Sequence, residues 1–381
     1  MVCQDYKKFC QDYKKIAIIA LTRGGCQTAL QLGELLPGAD LYLKDGALPP
    51  AEMPKKTAGR VRLFAEKLAE LIAEIHGQYQ GFVMIMAAGI VFRTFAPYVV
   101  HKAQDPAVVV LDERARFAVS LLSGHLGGAN QLAAEIAERW GAPCQAVITT
   151  ATDVRRKPAF DLLAQANNCR IANLAELKYI SGALVNGGRV ALLAEVAVEG
   201  APPEVQICDA DAEFSPCPGL VCVSPFCRDA ETRPQAEHVL HLIPRVLALG
   251  VGCKRGTPPA ALRQAAADFL AQCGVEPQAL GRIASIDLKK DEPAILALAE
   301  HYQVPFVTCT AADLRRVVEK LPAARQSEFV RRQVGTPGVA EPAAMLAANP
   351  AEGRAALLQG KTVYPGITLS LALDTGYVFK F

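Results

Sequence analysis

The stretch GFVMIMAAGIVFRTFAPYVVHKAQDPAVVVLD, Gly81 to Asp112, decides the fold. It opens with an apolar run of strand character, GFVMIM (Gly81–Met86), and passes through AGIVFRTFAPYV, whose apolar spacing is helical. It closes on a second strand run, AVVVLD (Ala107–Asp112). Strands alternating with helices make βα units, and hence a mostly parallel sheet covered on both faces.

The same alternation extends outward. Upstream, KIAIIAL from Lys15 reads as a strand ending in TRGG (Thr22–Gly25), and CQTALQLGELL as a helix stopped by Pro37 and Gly38. ADLYL is a further strand, and a helix is predicted from about Gly59 to His76. Downstream, RFAVSLL (Arg116–Leu122) pairs back after a short turn. A glycine-rich loop then feeds helix QLAAEIAERW, which Gly141 stops, and strand QAVIT (Gln145–Thr149) follows. From about Thr150 to Pro244 the pattern loosens. Residues 199 to 235 hold six prolines and four cysteines, which reads as a linker or irregular surface. From Arg245 the alternation restarts: strand LALGVGC, then a helix with Thr257 as N-cap and Pro258 first, then IASIDL, DEPAILALAEHYQ, PFVTCT and AEPAAMLAAN. The fold class expected is therefore α/β in three units. Residues 1–145 and 244–381 form α/β domains with mostly parallel sheets, and a smaller, irregular α/β middle region at 146–243 joins them.

Composition narrows the function classes. At ~150 residues per domain, 381 residues predict two or three domains. Lys plus Arg total 40 and Asp plus Glu 38, a formal charge of +2. That balance argues against a dedicated nucleic-acid or membrane-surface partner. Hydrophobic residues at 51% exclude general disorder. The longest apolar run, Val83 to Phe92, falls far short of the ~20 residues that cross a bilayer. The opening MVCQDYKKFCQDYKK is too polar for a signal peptide, so a cytoplasmic protein is expected. The hexamer CQDYKK occurs at Cys3–Lys8 and again at Cys10–Lys15, and residues 1–14 are expected to be a disordered tail. Twelve scattered cysteines read as reduced, mostly buried thiols. Cys217, Cys222 and Cys227, with Cys208 upstream, lack the two-residue gap usual in zinc and iron–sulfur sites, so no metal site is expected.

Three motifs carry candidate chemistry. LLSGHLGGANQLA, Leu121 to Ala133, places Ser123, His125 and Asn130 among Gly124, Gly127 and Gly128 between a strand end and a helix mouth. Free amides there favour anions, and a histidine is the natural base at neutral pH. The same residues also suit a tight turn that His125 caps. LALGVGCKRGTPPAAL, Leu247 to Leu262, is spaced G-x-G-x-x-x-G and matches neither nucleotide fingerprint. Lys254 and Arg255 beside a helix start make either an anion cradle or a solvated turn. Thr22–Gly25 has the same layout. Between Ala87 and Asp112, Arg93 and Lys102 supply cationic heads, and Asp105 and Asp112 carboxylates. No G-x-S-x-G elbow and no H-E-x-x-H is present, so water is the expected nucleophile.

The chain resembles the cobalt-precorrin-5A hydrolase (cobalamin biosynthesis protein CbiG) family of anaerobic cobalamin biosynthesis. The resemblance runs from about Lys15 to the end. It rests on GIVFRTFAPYVVHKAQDPAVVVLDERARFAVSLLSGHLGGANQLA, ITTATDV with AFD (Ala159–Asp161), LALGVGCKRGT, RIASIDLKKDEPAILALAEHYQVPFVT and VAEPAAMLAA. Three departures stand out: the duplicated tail, Ala115 where the family often has Gly, and Ala340 where many members carry Cys. The resemblance implies hydrolysis of a δ-lactone between the ring A acetate and C20 of a cobalt tetrapyrrole. C20 and its methyl then leave as acetaldehyde. It implies His125 as base, with Ser123, Asp112 and Glu113 also catalytic candidates, and Gly127 and Gly128 as oxyanion donors. Thr22, Arg23, Gly24, Gly25, Gly89, Arg93, Lys102, Gly124, Asn130, Gly252, Lys254, Arg255 and Thr257 are expected at the substrate. No cofactor is implied, because the substrate carries the cobalt. The partner is a small tetrapyrrole, not nucleic acid or membrane, and a homodimer or contacts with neighbouring pathway methyltransferases are compatible with it. A carrier of a corrinoid intermediate that binds without turnover is the other class to test.

Overall fold

A computed structural model describes residues 15–53, 59–102, 104–208, 218–227, 236–319, 335–351 and 353–381. The duplicated hexamers and Cys217 lie outside these residues. Two compact units divide the chain, Met1–Lys157 and Pro158–Phe381. No helix among the described residues is long and apolar enough to cross a membrane.

In the first unit the chain runs β1 (Ile16–Ala20), α1 (Arg23–Leu35), β2 (Asp40–Lys44), β3 (Val61–Phe64), α2 (Leu68–Ile75), β4 (Gly81–Ile85) and α3 (Ala88–Phe95). It continues through β5 (Ala107–Leu111), β6 (Phe117–Leu122), α4 (Ala129–Trp140), β7 (Gln145–Val147) and the one-turn α5 (Ala151–Val154). The seven strands form one sheet in the order β3-β2-β1-β4-β5-β6-β7. β1, β4 and β5 are buried at every position, as strands covered on both faces must be. Alternate residues serve opposite cores: Ile16, Ile18 and Ala20 pack with α1 and α4, and Ala17 and Ile19 with α2 and α3. Each such buried Ile contributes roughly 1.5–3 kcal/mol.

Strand direction positions everything that follows. β1 to β5 are mutually parallel. β6 runs antiparallel to β5, pairing Leu122 at its end with Val108 at the start of β5, and β7 follows β6. The carboxyl ends of β6 and β7 therefore lie at the edge where the other five strands begin.

Among its described residues the second unit holds two five-stranded sheets and one of two strands. α6 (Phe160–Ala166), β8 (Cys169–Ile171), α7 (Leu177–Val185), β9 (Val190–Ala194), β10 (Ala197–Glu199), β11 (Val205–Cys208), β12 (Leu220–Val223) and β13 (Val239–Pro244) come first. Their sheet is ordered β11-β9-β12-β13-β8, parallel apart from β8. Then come β14 (Leu247–Cys253), α8 (Pro259–Gln272), β15 (Leu280–Ile286), α9 (Pro293–Tyr302), β16 (Phe306–Cys309), α10 (Ala311–Val318) and α11 (Ala340–Ala348). β17 (Ala355–Tyr364) and β18 (Ile367–Asp374) complete a sheet ordered β16-β15-β14-β18-β17. Alanine-rich α11 lies flush on it: a Cβ on Gly250 would stand 1.9 Å from the Ala340 carbonyl. The last strand, β19 (Val378–Lys380), pairs with β10. Asn167 fastens it, accepting from the Lys380 amide at 2.7 Å and donating to its carbonyl at 2.8 Å.

Three local expectations change. Residues 59–76 are not one helix, because β3 pairs with β2 before α2 begins. β3 is a four-residue edge strand with only Phe64 fully buried, too short to show alternation. The proline-rich stretch 199–235 is not merely linker, since β11 and β12 pair with β9 inside the sheet. Thr257 does not cap α8. Pro258 is the N-cap, and the Thr257 hydroxyl donates instead to the Lys254 carbonyl at 2.7 Å.

Candidate active site

The candidate residues of the first unit fall at two opposite edges of its sheet. At the carboxyl ends of β1, β4 and β5 lie Thr22–Gly25, Gly89, Asp112 and Glu113. Strand order reverses between β1 and β4, which makes this edge the topological switch point where open α/β sheets hold ligands. Arg23, Gly24 and Gly25 form the first turn of α1. Thr22 is its N-cap, accepting from the Gly25 amide at 3.1 Å and donating to the Glu113 carboxylate. A Cβ on Gly24 would meet Glu113 Oε2 at 2.9 Å, so this carboxylate fills the position that favours an anion. Arg23 pairs with Glu52, which also accepts from Gln27 at 2.8 Å. Arg93 folds back to the Gly89 carbonyl at 2.7 Å, and Lys102 is exposed.

Asp112 is a turn residue. Its carboxylate accepts the amides of Arg114, Arg116 and Phe117 at 2.8–3.0 Å. Burial pushes its pKa up, but those amides and the Arg116 guanidinium outweigh that and hold it below the ordinary value. A carboxylate so held is a poor proton acceptor, which weighs against Asp112 as the base. The turn also holds Ala115 at φ 50°, a left-handed conformation in which Gly is cheaper.

The SGHLGGAN loop sits at the other edge, because β6 runs against β5. It is a tightly bonded structure. The Ala129 amide donates to the Ser123 carbonyl at 3.1 Å, and the Asn130 amide to the Gly124 carbonyl at 3.0 Å. The Gly128 amide donates to the His125 carbonyl at 2.8 Å. That bond engages the Gly128 amide, one of the two expected oxyanion donors. His125, whose side chain is 13% exposed, points Nε2 at Asp153 Oδ2, 2.6 Å away on α5. Thr152 Oγ1 lies 3.3 Å from the same nitrogen. Asn130 Nδ2 donates to Asp153 Oδ2 at 3.0 Å and to Thr150 Oγ1 at 2.9 Å, while its Oδ1 accepts from Ser120 at 2.6 Å. Ser123 holds φ 57°, and its buried hydroxyl has no hydrogen-bond partner among the described residues. A left-handed serine with an orphaned hydroxyl is the kind of strain that gathers at functional sites.

Sequence reasoning did not single out Asp153, Thr152, Thr150 or Ser120. Asp153 stands 28 residues from His125. The usable signal was an Asp just after β7, a strand that runs parallel to β6.

The second unit places Gly252 near the end of β14 and Lys254–Thr257 in the turn between β14 and α8. Lys254 and Arg255 are exposed. Gly256, at φ 73°, donates its amide to the buried Glu292 at 3.0 Å, and Lys289 neutralises that carboxylate at 2.9 Å. Cys222 is buried on β12 and Cys227 is exposed. No group of three or more His, Cys, Asp or Glu among the described residues is arranged to hold a metal ion.

Both units are of the α/β class: the first is doubly wound and carries a histidine–carboxylate pair on a strained glycine loop, and the second carries a cationic glycine turn. Family models assign the class more closely: Cobalamin synthesis G N-terminal matches residues 70–153, Cobalamin biosynthesis central region 158–244, and Cobalamin synthesis G C-terminus 247–372. The chain belongs to this cobalamin synthesis G (CbiG) family. It is 35% identical to the cobalt-precorrin-5A hydrolase of Salmonella typhimurium, over 92% of this chain and 97% of that one. The protein of the same name from Priestia megaterium is 30% identical, over 87% of this chain and 88% of the relative. A 126-residue stretch is 42% identical to Protein CobE of Sinorhizobium sp, over 33% of this chain and 79% of CobE.

Proposed function

We propose that the protein is a cytoplasmic cobalt-precorrin-5A hydrolase. Identity of 35% spanning 97% of a relative of that name carries this reading, since all three family regions are present in one chain. Water adds to the lactone carbonyl, the ring oxygen leaves, and the acetate arm is freed. C20 with its methyl then departs as acetaldehyde, the electron pair of the broken carbon–carbon bond staying with the macrocycle. Cobalt enters and leaves with the substrate, so the protein needs no metal of its own.

His125 is the residue for the proton transfer. Its ring is held by a carboxylate beside a strained loop, as a general base must be. The exposed Val99, Val100 and Lys102 flank the same edge: the Asp105 side chain holds the amides of Val100 and His101, and its carbonyl stands 3.2 Å from where a Gly127 Cβ would sit. An apolar surface beside a cation suits a macrocycle with carboxylate arms. In the second unit, taken by itself, the exposed Lys254 and Arg255 are suited to bind carboxylates.

Purified protein incubated with cobalt-precorrin-5A tests the assignment. Stoichiometric acetaldehyde and the spectrum of the ring-opened pigment are expected. A protein that binds the pigment and releases no acetaldehyde is instead a carrier.

A further inference from the structure

We infer that Asp153 is a positioning residue for His125: its carboxylate takes the imidazole Nε2–H and so fixes both ring orientation and tautomer. This inference rests on the reading of His125 as the base.

The geometry has three parts. First, the contact is short and sheltered, 2.6 Å between side chains 13% and 23% exposed. A carboxylate at that distance requires a donor, so Nε2 carries the hydrogen and Nδ1 is the proton-accepting atom. Second, Asp153 is itself held. Asn130 donates to the same Oδ2, and Ser120 and Thr150 fix the Asn130 amide from either side. β6, the loop after it, α4 and the segment of α5 thus supply one connected chain of side chains. Third, the simpler role for an aspartate in the first turn of a helix is to cap it. α5 has no side-chain cap bond, and Asp153 Oδ2 is aimed at the imidazole.

Other charged groups belong to the neighbouring segments. Asp105, whose backbone backs onto Gly127, has its carboxylate turned to the Val100 and His101 amides. Arg155 and Arg156 follow Asp153 at the end of α5. The Asp153 carboxylate, 2.6 Å from Nε2, is placed to stabilise the protonated ring.

The whole protein, as wild type, Asp153→Asn, Asp153→Glu and His125→Ala, provides the test. The His125 ring signal, identified by its absence in His125→Ala, is titrated by NMR alongside the pH profile of acetaldehyde release. Asp153→Asn is expected to lower the His125 midpoint by about one pH unit. It should also cut kcat by 10–100-fold with little change in KM. Asp153→Glu should recover part of both. An unmoved midpoint with full-rate Asp153→Asn, while His125→Ala is slow, overturns the role of Asp153 and leaves the base assignment standing. Normal turnover by His125→Ala overturns the base assignment, and with it any positioning role.

Discussion

The two edges of the first sheet use similar residue types to different ends. At the switch point, a threonine, two glycines and a helix N-terminus meet a carboxylate supplied by the chain itself, Glu113. At the opposite edge, three glycines and a serine shape a loop in which an imidazole meets the Asp153 carboxylate and the Ser123 hydroxyl is left orphaned among the described residues. A self-satisfied edge stabilises the unit, whereas strain and an unanswered polar atom are features that gather at functional sites. Glycine-rich loops at strand ends are therefore not equivalent, and what distinguishes them is whether their polar groups already have partners.

The sharpest way to break this comparison is through turnover. His125→Ala should bind cobalt-precorrin-5A nearly normally and release acetaldehyde at least ~100-fold more slowly, the usual loss of a general base. Glu113→Gln, at the other edge, should stay within about threefold of wild type in the same assay, because it touches the α1 cap and not the base. If Glu113→Gln is the slower variant, the chemistry lies at the switch point.

Stability sharpens the same contrast. A Cβ at Gly127 would stand 2.3 Å from Ser123 Cβ and 2.8 Å from the Ser123 carbonyl, against atoms that cannot swing away. Gly127→Ala should cost ~1–3 kcal/mol, the usual range for overpacking. At Gly24 the obstacle is the far end of the Glu113 side chain, and the site is helical. Gly24→Ala should stay within about 1 kcal/mol of wild type. Fluorescence of Trp140, the single tryptophan, reads both in urea because it packs on the first unit's core. Equal losses would mean that the two loops are packed alike.

The second unit extends the comparison to binding. Lys254→Ala with Arg255→Ala alters exposed cations on a turn whose own amide is already bonded to Glu292. Pigment affinity should fall by about tenfold, the worth of a single charge-assisted hydrogen bond, with the fold unchanged. Unchanged affinity in a visible-absorbance titration would leave these two residues as a solvated turn.

Much of this was legible in the sequence, and the exceptions share a cause. IAIIA, GFVMI and AVVVL announced central strands because both faces of each are buried. SGHLGGAN announced a loop through its glycines. Its placement at the edge opposite the switch point was not legible, because residues 116–122 reveal a hairpin partner but not its consequence. Once β6 turns back, its carboxyl end lies at the opposite edge from α1 and Glu113. Asp153 stayed hidden for a related reason, since only the parallel pairing of β6 with β7 brings positions 125 and 153 together. Glu113 read as a second acid beside Asp112; its role as partner of the α1 cap depends on β1 and β5 flanking β4, a matter of strand order.

The smallest expected effect concerns pH, and it tests whether Asp112 belongs to the structural edge. Its carboxyl is held below the ordinary value despite partial burial, by three backbone amides and Arg116. The folded state thus binds the proton more weakly than the unfolded chain does. The contribution is complete above the unfolded value near 3.9 and fades as pH falls through the lower folded one. Because the side chain is 32% exposed, the effect should stay below about 1 kcal/mol. Asp112→Asn keeps an acceptor in the turn and removes the charge. Urea midpoints read at Trp140 should therefore fall less steeply between pH 5 and pH 3 in the variant than in wild type. Acetaldehyde release at neutral pH should be unaltered, because the residue serves the β5–β6 turn. Parallel acid limbs would show that Asp112 has an ordinary affinity for its proton, and slowed release would return it to the catalytic residues.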